Sequence, residues 1–252
     1  MANSFVRNIP NAVTCCNLLS GCIATSFALQ GDFLLAFLFI IVGALFDFFD
    51  GMTARLLHVA SPIGKELDSL ADIVTFGVAP SMMVFSLLQT RCTYHILPYI
   101  AFLLAAFSAL RLARFNLDER QTNSFIGLPT PANALFWGSL VVKLGIKNEG
   151  LGFLGTRDEI VGKISLDNTS QFLTSHSSLL IIFLVLLFSW LLISPIPMFS
   201  LKFHNLRWKE NRIRYIFLLG SIALLFVLGI GGFAAIIGWY IILSLISQSA
   251  KK

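Results

Sequence analysis

The sequence predicts an all-α polytopic integral membrane protein, a helical bundle of about eight transmembrane helices. Three observations carry that expectation. Of the 252 residues, 56% are hydrophobic and only 12% are charged, about half the roughly 25% of charged residues that soluble domains carry. The mean hydropathy is +0.82. The apolar residues gather into stretches near the roughly 20 residues needed to cross a bilayer, and Lys and Arg collect at the ends of those stretches. This composition excludes a soluble enzyme, a disordered chain and a secreted disulfide scaffold.

The expected spans are 11–29, 33–56, 66–89, 95–115, 130–147, 178–198, 213–229 and 231–248. The first is a poor cleavable signal: its only basic flank is Arg7, and Thr14 and Asn17 interrupt the apolar run. Residues 1–10 suit the membrane interface. Cys15, Cys16, Cys22 and Cys92 lack metal-ligand spacing and read as reduced packing residues. The longest connection, about 148–177, carries Gly150, Gly152, Gly155, Asp158, Glu159, Asp167 and Asn168 and reads as a polar external loop. Without repeats or a soluble segment, 1–252 reads as one membrane domain.

With a cytoplasmic N-terminus, thirteen basic residues fall inside: Arg7, Arg55, Lys65, Arg111, Arg114, Arg120, Lys202, Arg207, Lys209, Arg212, Arg214, Lys251 and Lys252. Five fall outside: Arg91, Lys143, Lys147, Arg157 and Lys163. The bias favours the inner membrane with both termini cytoplasmic. The net charge of +5 therefore reads as topological, and no nucleic-acid partner is expected.

Five of the 13 acidic residues, Asp47, Asp50, Glu66, Asp68 and Asp72, lie within 26 positions, at the cytoplasmic end of the second span and the start of the third. Carboxylates at membrane depth are costly and call for partners, metals or a polar cavity. Asp47, Asp50, Gly51 and Ala54 follow i, i+3, i+4, i+7. Gly64, Asp68 and Asp72 follow i, i+4, i+8. Each set shares one helix face, and the short hairpin from Leu56 to Ile63, turned at Ser61-Pro62, sets the faces side by side. Four carboxylates in one cavity need cations, and all-oxygen ligands favour Mg²⁺ or Mn²⁺. Two such ions about 3.5–4 Å apart suit phosphoryl chemistry. Gly51, Ala54 and Gly64 permit close approach of a ligand, and Arg55 suits a phosphate.

Residues 47–72 read Asp-x2-Asp-Gly-x2-Ala-Arg-x8-Gly-x3-Asp-x3-Asp. This pattern resembles, without departure, the motif of the CDP-alcohol phosphotransferase family. The resemblance implies transfer of a substituted phosphate from a CDP-linked donor to an alcohol, with release of CMP. It implies that Asp47, Asp50, Asp68 and Asp72 hold divalent cations, that Asp72 is the catalytic base, and that Gly51, Ala54, Arg55 and Gly64 contact the CDP part. Asn17 lies in Ile9-Pro-Asn-Ala-Val-Thr-Cys-Cys-Asn17, which resembles the family's opening helix; a ligand-facing role with the CDP group and a helix–helix hydrogen bond both remain open for it. A homodimer is implied by the resemblance only.

Three further stretches resemble the branch of the family that takes serine as acceptor: Arg111-Leu-Ala-Arg-Phe-Asn116, Phe125-Ile-Gly-Leu-Pro-Thr-Pro-Ala-Asn133 and Ser194-Pro-Ile-Pro-Met-Phe-Ser-Leu-Lys202. They imply CDP-diacylglycerol and L-serine as substrates. Arg111 and Arg114 suit a phosphate or the serine carboxylate; Asn116 and Asn133 can donate and accept. Pro129, Thr130 and Pro131 are expected to shape the start of the fifth helix rather than to bind substrate. Glycerol 3-phosphate and inositol phosphate are the rival acceptors. An Asp-rich prenyltransferase lacks its second motif here, and a cation transporter would place its acids at mid-membrane in two related halves.

Overall fold

A computed structural model of the chain describes residues 4–59, 61–92, 94–117, 125–146, 168–199 and 208–249. The described residues are almost entirely helical, as expected. Five segments are long and apolar enough to cross a membrane, the last running from Asn211 to Ser247. That last segment is two helices, α8 (Trp208–Leu228) and α9 (Gly232–Ser249), joined by a single 3₁₀ turn. The Phe217 and Tyr240 rings lie 5.8 Å apart and Trp239 packs on Gly220, so α9 folds back along α8. Helices α6 (Thr130–Ile146) and α7 (Asn168–Ile193) complete the bundle.

Helix α1 (Ser4–Leu29) is longer than the sequence predicts: it is helical from Ser4 through Pro10. Its C-terminus and that of α2 (Phe33–Leu56) are closed by the same device. At Gly31 (φ +80°) and at His58 (φ +52°) the chain turns left-handed. The next amide then reaches back five residues, Asp32 to the Phe27 carbonyl (3.0 Å) and Val59 to the Ala54 carbonyl (3.1 Å). These are Schellman caps, at which glycine is the usual residue. Asp32 then accepts from the Leu35 amide (3.0 Å) to start α2. Ser61 does the same for α3 (Pro62–Asp72), accepting from the Gly64 amide at 3.1 Å with Pro62 in the first turn. Cap and turn therefore fix the α2–α3 hairpin that carries the carboxylates.

The third span is continuous from Pro62 to Gln89 but not uniform. Between α3 and α4 (Ala79–Gln89) lies a π-helical stretch, Ile73–Val78, where the Ala79 amide reaches back to the Val74 carbonyl. The cause is Pro80, which has no amide hydrogen for an α-helical bond one turn back. The wider turn presses Thr75 between α1 and α2. A methyl group on Gly21 would overlap Thr75, and one on Gly43 would fall 3.0 Å from the Asn17 side-chain oxygen and overlap the Thr75 methyl.

The fourth span is a 3₁₀ segment, Leu97–Phe102, running into α5 (Leu103–Leu117). Helix α7, the sixth expected span, ends at Ile193 rather than at 198, because Pro195 and Pro197 cannot continue it. The freed chain pairs instead: β2 (Pro197–Met198) runs antiparallel to β1 (Phe125–Ile126), just before α6. The expected 148–177 loop lies outside the described residues as far as 167, and the chain is helical from Asn168.

The core is aromatic and tightly packed. Trp137 and Phe37 are fully buried, the Phe136 and Phe188 rings stack at 4.0 Å, and Phe37 meets Phe233 edge-on at 5.6 Å. The four cysteines are unpaired; Cys15 and Cys22 are exposed on the outer face rather than packed inside.

Two substitutions test this account by thermal melting of detergent-purified protein. Gly21→Ala forces α1 away from the π turn and costs about 1–3 kcal/mol, the range for overpacking. His58→Gly relieves the left-handed strain and raises the melting temperature, by about 1 kcal/mol in stability.

Candidate active site

The Asp-bearing faces of α2 and α3 converge as their spacing requires. Oxygens of Asp47, Asp50 and Asp68 all lie within 4.8 Å of one another. Asp50 is buried and the other two are half-buried. Three carboxylates this close do not all stay ionised without a cation or a shared proton between them. Asp50 Oδ2 and Asp68 Oδ1 are buried and have no hydrogen-bond partner. A cluster of hard oxygen donors with unused lone pairs fits a divalent cation of the Mg²⁺ or Mn²⁺ type.

Asp72 stands apart from this trio. It is buried one helical turn further along α3 and remains within electrostatic range of Asp47, Asp68 and Asp50. Its Oδ1 accepts from the Asn17 side-chain amide at 3.3 Å. Asn17 is itself fully buried, and its backbone carbonyl accepts from the Thr75 hydroxyl at 3.0 Å. The π turn after Asp72 thus returns Thr75 to α1, and α1 returns Asn17 to Asp72. The Asn17 side-chain amide thus makes a helix–helix hydrogen bond, while its side-chain oxygen is buried and without a hydrogen-bond partner.

A cavity of about 220 Å³ opens beside the trio. Gly51, Ala54, Gly64, Asp50 and Asp68 line it, as the sequence predicts. Arg55 does not: its Nε folds back on the Gly51 carbonyl at 2.8 Å, leaving the exposed guanidinium at the rim. Sequence reasoning missed the contribution of α1, which lines the cavity with Pro10, Asn11 and Thr14, and that of Lys65. The signal was present in the polar stripe Asn11, Thr14, Asn17 at intervals of three. Thr14 donates to the Pro10 carbonyl at 3.0 Å and also faces Asp50.

The residues expected to meet the acceptor separate. Arg111 is buried and within electrostatic range of Asp72, whereas Arg114 is exposed. Arg111 Nη1 donates to the Thr130 hydroxyl at 3.3 Å, and its Nε is buried and unpartnered. Asn133 lies one turn beyond Thr130 on α6, fully buried, with both side-chain polar atoms unpartnered. Asn116 is engaged elsewhere: its amide donates to Ser69 Oγ at 2.8 Å, and its carbonyl accepts from Lys65 Nζ at 3.1 Å. These two bonds tie the end of α5 to α3.

The carboxylate quartet on this hairpin, in this spacing, is the decisive observation. The chain belongs to the CDP-alcohol phosphatidyltransferase family. The family's model matches residues 7–246. Among similar curated proteins, a Bacillus subtilis CDP-diacylglycerol–serine O-phosphatidyltransferase is 42% identical over 127 residues, 49% of this chain and 69% of the relative. A Helicobacter pylori protein of the same name is 28% identical over 239 residues, 94% of this chain and 89% of the relative. One from Methanocaldococcus jannaschii is 39% identical over 130 residues, 52% and 58% of the two chains. The protein is thus a polytopic membrane enzyme of a phosphotransferase family.

Binding of Mn²⁺ to the detergent-purified protein, followed by electron paramagnetic resonance, tests the metal assignment. Asp50→Asn and Asp68→Asn are expected to weaken binding by at least about tenfold, since even outer-shell changes do so. Asn17→Ala leaves the trio intact and weakens it less.

Proposed function

We propose that this enzyme transfers the phosphatidyl group of CDP-diacylglycerol to the hydroxyl of L-serine and releases CMP, at the cytoplasmic face of the inner membrane. The observation that carries the reading is that two differently furnished regions lie within electrostatic range of Asp72. One holds the carboxylate trio and the small-residue cavity. The other holds the buried, partly unpartnered Arg111 and, beyond Thr130, Asn133. The names of the relatives from Bacillus and Helicobacter support serine as the acceptor.

Gly51, Ala54 and Gly64 leave room for the CDP diphosphate to approach the backbone, and Arg55 stands at the rim where a phosphate enters. Asp47, Asp50, Asp68 and Asp72 would hold one or two divalent ions. When bound, these ions offset the diphosphate charge and stabilise the leaving CMP. The guanidinium of Arg111 suits the serine carboxylate, and Asn133 offers a donor and an acceptor to its remaining polar groups. Asn17 occupies Asp72 Oδ1, which leaves Oδ2 as the oxygen to accept a proton. That carboxylate takes the hydroxyl proton as the serine oxygen bonds to the phosphorus bearing diacylglycerol. The phosphorus–oxygen bond to CMP breaks in the same displacement. The basic bias of the loops supports a cytoplasmic position for this end of the bundle, on the side from which serine would arrive.

Purified protein given CDP-diacylglycerol and Mg²⁺ or Mn²⁺ is expected to release CMP with serine. Release with glycerol 3-phosphate or inositol phosphate instead would reassign the acceptor and leave the Asp chemistry standing. Asp72→Asn is expected to lower the rate by about 10²–10⁴-fold, the usual contribution of a general base, with the protein still folded by thermal melting.

A further inference from the structure

The C-terminal hairpin carries no residue of the family motif, yet it reaches the site. Tyr240, in the middle of α9, is buried. Its hydroxyl donates to the Phe199 carbonyl at 2.9 Å, and its ring packs on Phe199 (4.8 Å between centroids) and Phe217 (5.8 Å). It lies within electrostatic range of Arg111.

The Phe199 carbonyl is not an arbitrary acceptor. Phe199 follows β2 directly, and β2 pairs with β1, Met198 opposite Phe125 and Pro197 opposite Ile126. The chain after β1 is held by two more backbone bonds, the Gly127 amide to the Ile196 carbonyl (2.9 Å) and the Leu128 amide to the Leu191 carbonyl (3.0 Å). Gly127 takes φ +76°, and a side chain there would clash with the Leu192 carbonyl oxygen and lie 3.3 Å from that of Leu191. Two residues past Leu128 begins α6, with Thr130 on Arg111 and Asn133 one turn further. A short two-stranded clip thus aims the first turn of α6 at Arg111. Such a clip is too small to stand alone. Tyr240 ties it to α9.

We propose that Tyr240 is a positioning residue for acceptor binding: it anchors the β1–β2 clip from α9 and so sets Thr130 and Asn133 against Arg111. The inference rests on the reading of the Arg111 region as the acceptor pocket. It makes the C-terminal hairpin part of the determinant of serine affinity, acting through the clip.

The test is a titration of serine and of CDP-diacylglycerol in the CMP-release assay, with melting temperatures measured in parallel. Tyr240→Phe keeps the ring and removes the bond to Phe199. It is expected to raise the KM for serine about fivefold, the size of one neutral hydrogen bond, and to leave the KM for CDP-diacylglycerol unchanged. Phe217→Leu loosens the same aromatic packing but keeps the hydroxyl bond; it is expected to lower the melting temperature and leave the serine KM as it was. An unchanged serine KM in Tyr240→Phe, or an equal rise in both variants, overturns the proposal while the transferase reading stands. Absence of serine-dependent CMP release from the unsubstituted protein overturns that reading, and this inference with it.

Discussion

Four carboxylates brought onto facing sides of two adjacent helices, near the end of a membrane bundle, repel one another unless positive charge enters between them. Much of the N-terminal half of this molecule serves that constraint. The α2–α3 turn is short and capped at both ends, so the two faces cannot rotate apart. Lys65 and Ser69 tie α3 to the end of α5 through Asn116. Asn17 holds Asp72 from α1, and Thr75 holds Asn17. Rigidity of this kind is what a preorganised metal and diphosphate site requires, since carboxylates free to separate would relax their repulsion without a cation.

The site is assembled from two halves with different origins. The first is local in sequence: α1, α2 and α3 supply the carboxylates, the glycine-walled cavity and the support for Asp72. The second is collected from distant segments, with Arg111 on α5, Thr130 and Asn133 on α6, the clip at 125–126 and 197–198, and Tyr240 on α9. The halves meet where Arg111 comes within electrostatic range of Asp72. Donor chemistry shared by a whole family belongs on the compact hairpin. On the proposed reading, acceptor selection sits on elements that can change without disturbing the carboxylates.

That division also explains what was legible in the sequence. The Asp-x2-Asp and Asp-x3-Asp faces were readable because helical period alone determines which side chains share a face. The all-helical membrane architecture was readable from apolar run length and charge placement. Arg111 and Arg114 looked equivalent at a spacing of three, but tertiary packing buries one and leaves the other at the surface. Asn116 has the chemistry of a ligand and is used as a strut. The α1 wall was visible only as an unexplained polar stripe. The π turn had a signal in Pro80, yet its consequence, Thr75 wedged against Gly21 and Gly43, depends on three segments at once. The clip pairs residues some seventy positions apart, and no local pattern announces a strand of two residues.

The π turn has a further consequence for the order in which the site is built. An α-helical third span would carry Asp68 and Asp72 on one face and present the following turn on a different azimuth from that of Thr75. The extra residue per turn rotates everything beyond Asp72 relative to everything before it. Thr75 then reaches the Asn17 carbonyl, while Gly77 turns toward Ser108 and Ala105 on α5. One irregular turn therefore couples the carboxylate hairpin to α1 on one side and to the Arg111 helix on the other. The carboxylate half and the Arg111 half are set relative to each other by the backbone of Ile73–Val78, and the absent amide hydrogen of Pro80 is what selects that backbone.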